Sequence, residues 1–472
     1  MTSNIATTNP YLLGQFEPVA DELDVADLEV VGELPEALVG SYVRNGPNPQ
    51  FAPVGRYHVF DGDGMLHAMT FEDGRAAYRN RYVVSKGLAA ERRAGHALFG
   101  GLSEFRVPEP DVVAEAGFMK NTANTHIVSH AGRLLALMEG GRPTEVTSAL
   151  ETVGEFDFDG ALAGPMTAHP KIDPDTGEML FFGYSPFPPY LRFHIADATG
   201  KLVTSVDIDL PAPVMMHDFA VTATRVIFFD LPALFDLDAM LAGGPGFRWE
   251  PEHGARIGVL DRRQPRAGVR WIEVEPFWVF HFLNAHDAAP AAHANDANDN
   301  SIIVEGCRAD RLNVAFGEDT LDGPIAPLLH RWRINPAAGT VQDEPLSDQP
   351  CDFPRMNDRR AGLDARYGYV GHSEDWGQEV LGFSGVTKHD LTAGTSVTHR
   401  YEPGTISGEA VFAPDPGRDG EDGGWLLNFV TDHSQSASSL VVLDAETMHE
   451  TARVIIPRRV PFGFHGSWIA AD

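Results

Sequence analysis

Apolar stretches of strand length, each closed by a tight turn, recur along the whole chain, and this pattern limits the fold more than any other feature. They include GSYVRNG (40–46), AMTFEDGRAAYRNRYVV (68–84), HIVSHAGRLLALME (126–139), GEMLFFGYS (177–185), ATRVIFFDL (223–231) and GWLLNFVTD (424–432). Val, Ile, Leu, Phe and Tyr dominate them. Turns such as Glu72-Asp73-Gly74 and Ala131-Gly132 separate them, as in antiparallel hairpins. The 47 glycines and 34 prolines supply this punctuation. One sandwich is too small for 472 residues of such strands, so the expected fold is all-β and propeller-like. No clean repeat period sets a blade number. No linker divides the chain, and residues 1–472 are expected to form a single domain with inserted segments. Helical signals are confined to 85–101, which is Ala-rich with Ser85 as a cap, and to 232–243. Two polar loops, 289–300 and 414–424, interrupt the strands.

The formal charge is −31, and no basic cluster offsets it, so nucleic acid is not an expected partner. The two cysteines, Cys307 and Cys351, cannot make a disulfide framework and fit a reducing, cytoplasmic setting. The N-terminal MTSNIATTNPYLLGQF does not read as a signal peptide, and no apolar run is long enough to span a bilayer.

Several chemical motifs fail. Asp61-Gly62-Asp63-Gly64 begins like a calcium loop, but Met65 and Leu66 stand where an oxygen ligand and a turn glycine are needed. Nucleotide-binding and flavin-type glycine signatures are missing, so redox chemistry would have to proceed without those carriers. Among 19 histidines, four share an apolar setting: His169 in Thr-Ala-His-Pro, His217 in Met-Met-His-Asp-Phe, His281 in Val-Phe-His-Phe-Leu-Asn, and His465 in Phe-Gly-Phe-His-Gly-Ser-Trp. A buried imidazole needs a partner for each nitrogen, and one partner can be a metal. Hydrogen-bonded core histidines are the alternative, and the residues alone leave the two readings open. Ligands so far apart in sequence can converge on a propeller axis.

At these residues the chain resembles the carotenoid cleavage oxygenase family, which includes carotenoid and apocarotenoid oxygenases, lignostilbene dioxygenases, isoeugenol monooxygenase and the retinoid isomerase of the eye. The resemblance runs nearly end to end. It passes through Gly40-Ser-Tyr-Val-Arg-Asn-Gly-Pro-Asn-Pro49, Phe60-Asp-Gly-Asp-Gly-Met65, Tyr78-Arg-Asn-Arg-Tyr82, Asn121-Thr-Ala-Asn-Thr125, Ala168-His-Pro-Lys171, Met216-His-Asp-Phe219, His281-Phe-Leu-Asn-Ala285 and Phe464-His-Gly466. It implies a seven-bladed β-propeller with a small helical dome over one face, to which 85–101 would belong. It also implies iron held by His169, His217, His281 and His465, and carboxylates behind three of them at Glu139, Asp352 and Glu409. The family usually carries Glu where this chain has Asp352. Asp is one methylene shorter, so its contact needs a water or a shifted backbone. Thr125 aligns with a residue that crowds one open iron position.

The implied reaction adds dioxygen across an electron-rich alkene to give two carbonyl products. Four imidazoles suit iron, copper, zinc and nickel alike, and the need to handle dioxygen, with the resemblance, favours iron(II). The alkene supplies the electrons, which accounts for the missing carrier motifs. Phe187, Tyr190, Phe280, Phe282 and Phe464 are candidates to wall a dry tunnel, and each could equally be core. Two substrate classes compete: carotenoid or apocarotenoid polyenes, and phenolic stilbenes or phenylpropenes. The stilbene branch shares Lys120 but also uses a Tyr near Lys86-Gly87-Leu88, where this chain has none. The expected substrate is therefore a polyene. A peripheral membrane contact of the dome is left open by the resemblance.

Overall fold

The computed structural model describes residues 9–288, 300–312, 325–374, 376, 382–432 and 437–471. Its strands are paired antiparallel and form seven blades, the number the family resemblance implies. The first is built on Gly40–Arg44, Met65–Glu72 and Arg75–Tyr82. The second runs from His126–His130 to Thr152–Glu155, the third from Lys171–Ile172 to Leu202–Ile208, and the fourth from Ala220–Val221 to Arg270–Val274. The fifth starts at Trp278–Asp287 and ends on the long strand Thr340–Arg355, whose last residues turn to pair with Tyr367–His372 and open the sixth. The seventh runs from Thr405–Ser407 to Glu450–Ile456.

The two ends of the chain close the ring. Gly466–Ala470 pairs with Gly40–Arg44 as the innermost strand of the first blade, while Val30–Gly32 pairs with Glu450–Ile456 on the seventh. Closure of this kind leaves only short, protected edges.

Burial follows the blade position. Arg75–Tyr82 alternates, with Ala76, Tyr78, Asn80 and Tyr82 inward, because one face meets the neighbouring blade and the other meets water. Met179–Tyr184 is buried at every residue, sandwiched on both faces. Phe182, Phe193, Phe228, Phe229, Trp278 and Trp332 fill the space between the third, fourth and fifth blades. Trp332 is fully buried, and Trp332→Ala is expected to cost about 3–5 kcal/mol, read as a lowered denaturation midpoint.

The helices are shorter than the sequence suggests. The helix expected over 85–101 is Lys86–Ala94: the Ser85 side chain accepts from Leu88 N–H, and Gly95, at φ 76°, closes it in the left-handed region. The helix expected over 232–243 is only Leu237–Leu241, because Ala233–Phe235 pairs instead with Phe247–Trp249. A third helix, Pro110–Ala116, starts on a proline and was not foreseen. Lys86–Ala94 and Pro110–Ala116 lie in the connection from the first blade to the inner strand of the second, and Leu237–Leu241 lies between the second and third strands of the fourth. The 289–300 loop lies outside the described residues apart from residue 300. The 414–424 loop is held by Arg418, which pairs with Asp444 at 2.6 Å. Among the described residues, no helix is long and apolar enough to cross a membrane.

Candidate metal centre

Each of the four histidines stands at or near the start of the innermost strand of its blade. His169 precedes Lys171–Ile172, His217 precedes Ala220–Val221, His281 lies in Trp278–Asp287, and His465 precedes Gly466–Ala470. The inner strands lie around one axis, so residues hundreds of positions apart meet there. All four are buried, and one ligand nitrogen from each lies within 4.8 Å of the others. The other three blades each contribute a carboxylate: Glu139 from the second, Asp352 from the sixth and Glu409 from the seventh. Every blade thus supplies one residue of the cluster.

The carboxylates occupy the outer nitrogens. His217 Nδ1 donates to Glu139 Oε2 at 2.8 Å, His281 Nδ1 to Asp352 Oδ1 at 2.8 Å, and His465 Nδ1 to Glu409 Oε1 at 2.9 Å. Each such bond fixes the tautomer and leaves a lone pair on Nε2. Even so, Nε2 of His217 stands 3.2 Å from Nε2 of His281 and 3.0 Å from Nε2 of His169. Between His217 and His281, whose tautomers the carboxylates fix, facing lone pairs repel unless a proton or a metal ion lies between them. Two imidazole nitrogens bound at right angles, each about 2.0–2.1 Å from a metal, would be about 3 Å apart. The donor set therefore fits a divalent transition ion.

Electrostatics agree with this. Burial, then the neighbouring imidazoles, hold His169 and His465 well below the ordinary histidine value, so both stay neutral and able to donate a lone pair. Burial also opposes charge on His217, yet Glu139, with Asp218 and Asp352 behind it, raises its proton affinity above the ordinary value. A more basic imidazole is a stronger ligand.

Asp352 reaches His281 directly, without a water, through a shifted backbone. The pairing register slips between Asp352 and Arg355, and Phe353 takes φ 52°. The bulge pushes the short carboxylate inward, and Phe353 N–H donates to its Oδ1 at 2.8 Å. Asp352 already meets His281 directly, so the extra methylene of Asp352→Glu has to displace that contact or the bulge. It is expected to cost about 1–3 kcal/mol, seen as a lower melting temperature with reduced metal content.

The remaining candidates divide. The Phe280 ring stands perpendicular to His217 at 5.1 Å, at the edge of the cluster. Thr125 is joined to the site through its backbone, its carbonyl accepting from His465 N–H at 3.0 Å, while its hydroxyl donates to Asn124 at 3.0 Å. Phe282 is core, 4.4 Å from Phe229, although its edge faces an axial cavity. Phe464 is buried with Phe16, Phe353 and Phe462, and Tyr190 packs on the large aromatic core. Phe187 is 64% exposed, carried outward by the turn between Met179–Tyr184 and Leu191–Ala196, and lines neither cavity described below. Lys120 is half-buried, its side chain 11% exposed, and ion-paired to both Asp63 and Glu91. Burial disfavours its charge, but the two carboxylates outweigh that and hold it above the ordinary lysine value. Asp63, from the failed calcium motif, thus serves as a counter-ion.

One of two cavities reaches the cluster. It is about 470 Å³ and runs from His169, His281 and His465 along the inner strands past Asn284, Arg355 and Ser467. The other, of about 70 Å³ and away from the cluster, is lined by Tyr57, Phe60, Phe99, Lys120 and Met138, among others.

Three contributors escaped sequence reasoning. Asp218 accepts from Phe282 N–H at 2.9 Å and pairs with Lys171 at 2.8 Å, tying three blades together around His217 and His281. Its position next to His217 was the available signal. Arg355 donates to Gly466 O at 3.0 Å and faces Glu409 at 3.4 Å. His126 lies against His169 and His465, with ring centroids 6.1 and 5.6 Å away.

The family model described as retinal pigment epithelial membrane protein matches residues 16–470. The carotenoid cleavage oxygenase of Mycobacterium tuberculosis is 34% identical, over 98% of this chain and 97% of its own. The isoeugenol monooxygenase of Pseudomonas nitroreducens is 33% identical, over 98% of each. The crystal structure of Pseudomonas brassicacearum lignostilbene dioxygenase superposes with a TM-score of 0.90 at 30% identity, covering 98% of this chain and 99% of that one. With its propeller and its buried four-histidine cluster, the chain is an oxygenase of the retinal pigment epithelial membrane protein, or carotenoid cleavage oxygenase, family.

Proposed function

We propose that the protein is an iron(II) dioxygenase that cleaves a C=C bond of a carotenoid or apocarotenoid into two carbonyl products. The observation that carries the metal reading is the set of Nε2 atoms turned on one another at 3.0–3.2 Å, each outer nitrogen of His217, His281 and His465 being held by a carboxylate. His169, His217, His281 and His465 hold the iron. Glu139, Asp352 and Glu409 orient three of them, and Thr125 limits the space beside the metal. Iron(II) bound there supplies the open positions and electron density that dioxygen chemistry needs. The chain's own work is to keep the imidazoles neutral, exclude water and present one double bond, with Phe280 as the aromatic surface nearest the cluster.

The polyene reading rests on Lys120. Its ammonium is already neutralised by Asp63 and Glu91, so it offers little to a phenol. A side chain on Gly87 would meet Lys120 Cγ at 2.7 Å, so this site has no room for the missing Tyr unless Lys120 moves. A phenol hydroxyl left without one partner costs roughly 1–3 kcal/mol. The close superposition on a lignostilbene dioxygenase favours the second reading, an arylpropenoid alkene.

Two measurements test this. Anaerobically reconstituted protein is expected to bind about one iron per chain, to lose turnover on chelation and to regain it with iron(II) but not zinc. Values of kcat/KM for apocarotenals are expected to exceed those for hydroxystilbenes and isoeugenol. The reverse order, with apocarotenals inert, makes the arylpropenoid reading correct.

A further inference from the structure

His126 begins the inner strand of the second blade, the blade that separates the one carrying His465 from the one carrying His169. Its own blade sends a carboxylate to His217 and no ligand to the cluster, so this sector of the ring has no metal-facing imidazole. The His126 ring fills it. Nδ1 donates to the carbonyl of Ala168, the residue before His169, at 2.9 Å. Nε2 lies 3.3 Å from the carbonyl of Gly466, the residue after His465, and 3.5 Å from Ser467 Oγ. The same Gly466 carbonyl accepts from Arg355, and Gly466 N–H donates to Glu409 at 2.9 Å. The His126 backbone is also held, its carbonyl accepting from Asn45 Nδ2 at 2.9 Å. The neutral ring therefore hydrogen-bonds the His169-bearing backbone through Nδ1 and packs its Nε2 edge against the His465-bearing backbone, whose Ser467 hydroxyl donates to Ile127 O at 2.7 Å. That ring has no carboxylate partner among the contacts above, unlike three of the four histidines of the cluster.

We propose that His126 is a positioning residue of the metal centre, a cross-brace that sets the angle at which His169 and His465 present Nε2 to the metal. The role follows from what the ring touches: peptide groups directly adjoining two ligands, on opposite sides, next to the bond from His465 N–H to Thr125 O that ties the second blade to His465. Loss of an outer partner that orients a ligand typically costs 10–100-fold in metal affinity. The inference rests on the metal reading above.

The experiment uses the full chain, loaded with cobalt(II) for its d–d spectrum and titrated with iron(II) under anaerobic conditions. Wild-type protein that binds neither metal defeats the metal reading itself and leaves no centre for His126 to position. Given wild-type binding, His126→Phe keeps the ring volume and removes the hydrogen bond to Ala168. It is expected to weaken iron(II) affinity about 10–100-fold and to shift the cobalt bands. His126→Asn places an amide near the Nδ1 position and is expected to recover most of both through the Ala168 contact. Should the Phe variant not fold, His126→Leu carries the comparison with the Asn variant, with the same loss expected, and unchanged affinity and spectrum in folded His126→Leu would overturn the proposal. Unchanged affinity and spectrum in folded His126→Phe would overturn the proposal. So would equal losses in the Phe and Asn variants, since those would mark a simple packing role.

Discussion

Replacing His281 with alanine is expected to strip the protein of bound metal and of turnover. His281 is central to the cluster: its Nε2 stands 3.2 Å from that of His217, and its ring centroid lies 4.7 Å from that of His465. Three ligands remain, and the vacated space opens on the axial cavity, where water can enter. Asp352, buried at 4% exposure, would lose the imidazole N–H it accepts from. Leaving a buried acceptor without its partner costs about 1–3 kcal/mol, so the variant should also melt earlier. Metal affinity should fall by more than the 10–100-fold typical of outer contacts, since a ligand itself is lost. Metal analysis by mass spectrometry and single-turnover assay check this, and full iron occupancy in the variant would remove His281 from the ligand set.

Glu409→Gln is expected to have the next largest effect, toward the upper end of a 10–100-fold loss in metal affinity. Glu409 is 2% exposed and has three partners: His465 Nδ1 at 2.9 Å, Gly466 N–H at 2.9 Å and Arg355 at 3.4 Å. An amide keeps one acceptor but brings a donor that must face either His465 N–H, Gly466 N–H or the Arg355 guanidinium. Arg355 is then left with a weaker buried partner. Glu139→Gln should cost less, because the Glu139 side chain is 17% exposed and solvent can take up part of the loss. Comparison of the two iron titrations, with fold checked by circular dichroism, decides the ranking. Equal and negligible losses in both would make these acids bystanders.

The strand pattern was legible because blades are local objects. GWLLNFVTD is the strand Gly424–Asp432, and the hairpin read in 68–84 is Met65–Glu72 with Arg75–Tyr82. Ser85 was a readable cap for the same reason, since its bond to Leu88 spans one turn. Helix ends were less legible. Gly95 stops the first helix early, and residues 233–235, which begin the second expected helix, are drawn into a hairpin with Phe247–Trp249.

The four histidines and three carboxylates were legible as residue types in motif context. Their mutual arrangement was not, because it depends on ring closure. His217 takes a carboxylate from 78 residues earlier, His281 from 71 residues later, and His126 meets the residue beside His465 across 340 positions. No local period encodes those distances. They are set when Gly466–Ala470 zips onto Gly40–Arg44 and brings seven inner strands around one axis. The direct reach of Asp352 depends on a bulge, the neutralised Lys120 on two acids from separate segments, and the exposed Phe187 on which way one turn leaves its blade. The sequence by itself therefore determined which strands form and which side chains can bind a metal. Tertiary structure decided which of them meet, because burial and charge pairing depend on neighbours that only the closed ring supplies.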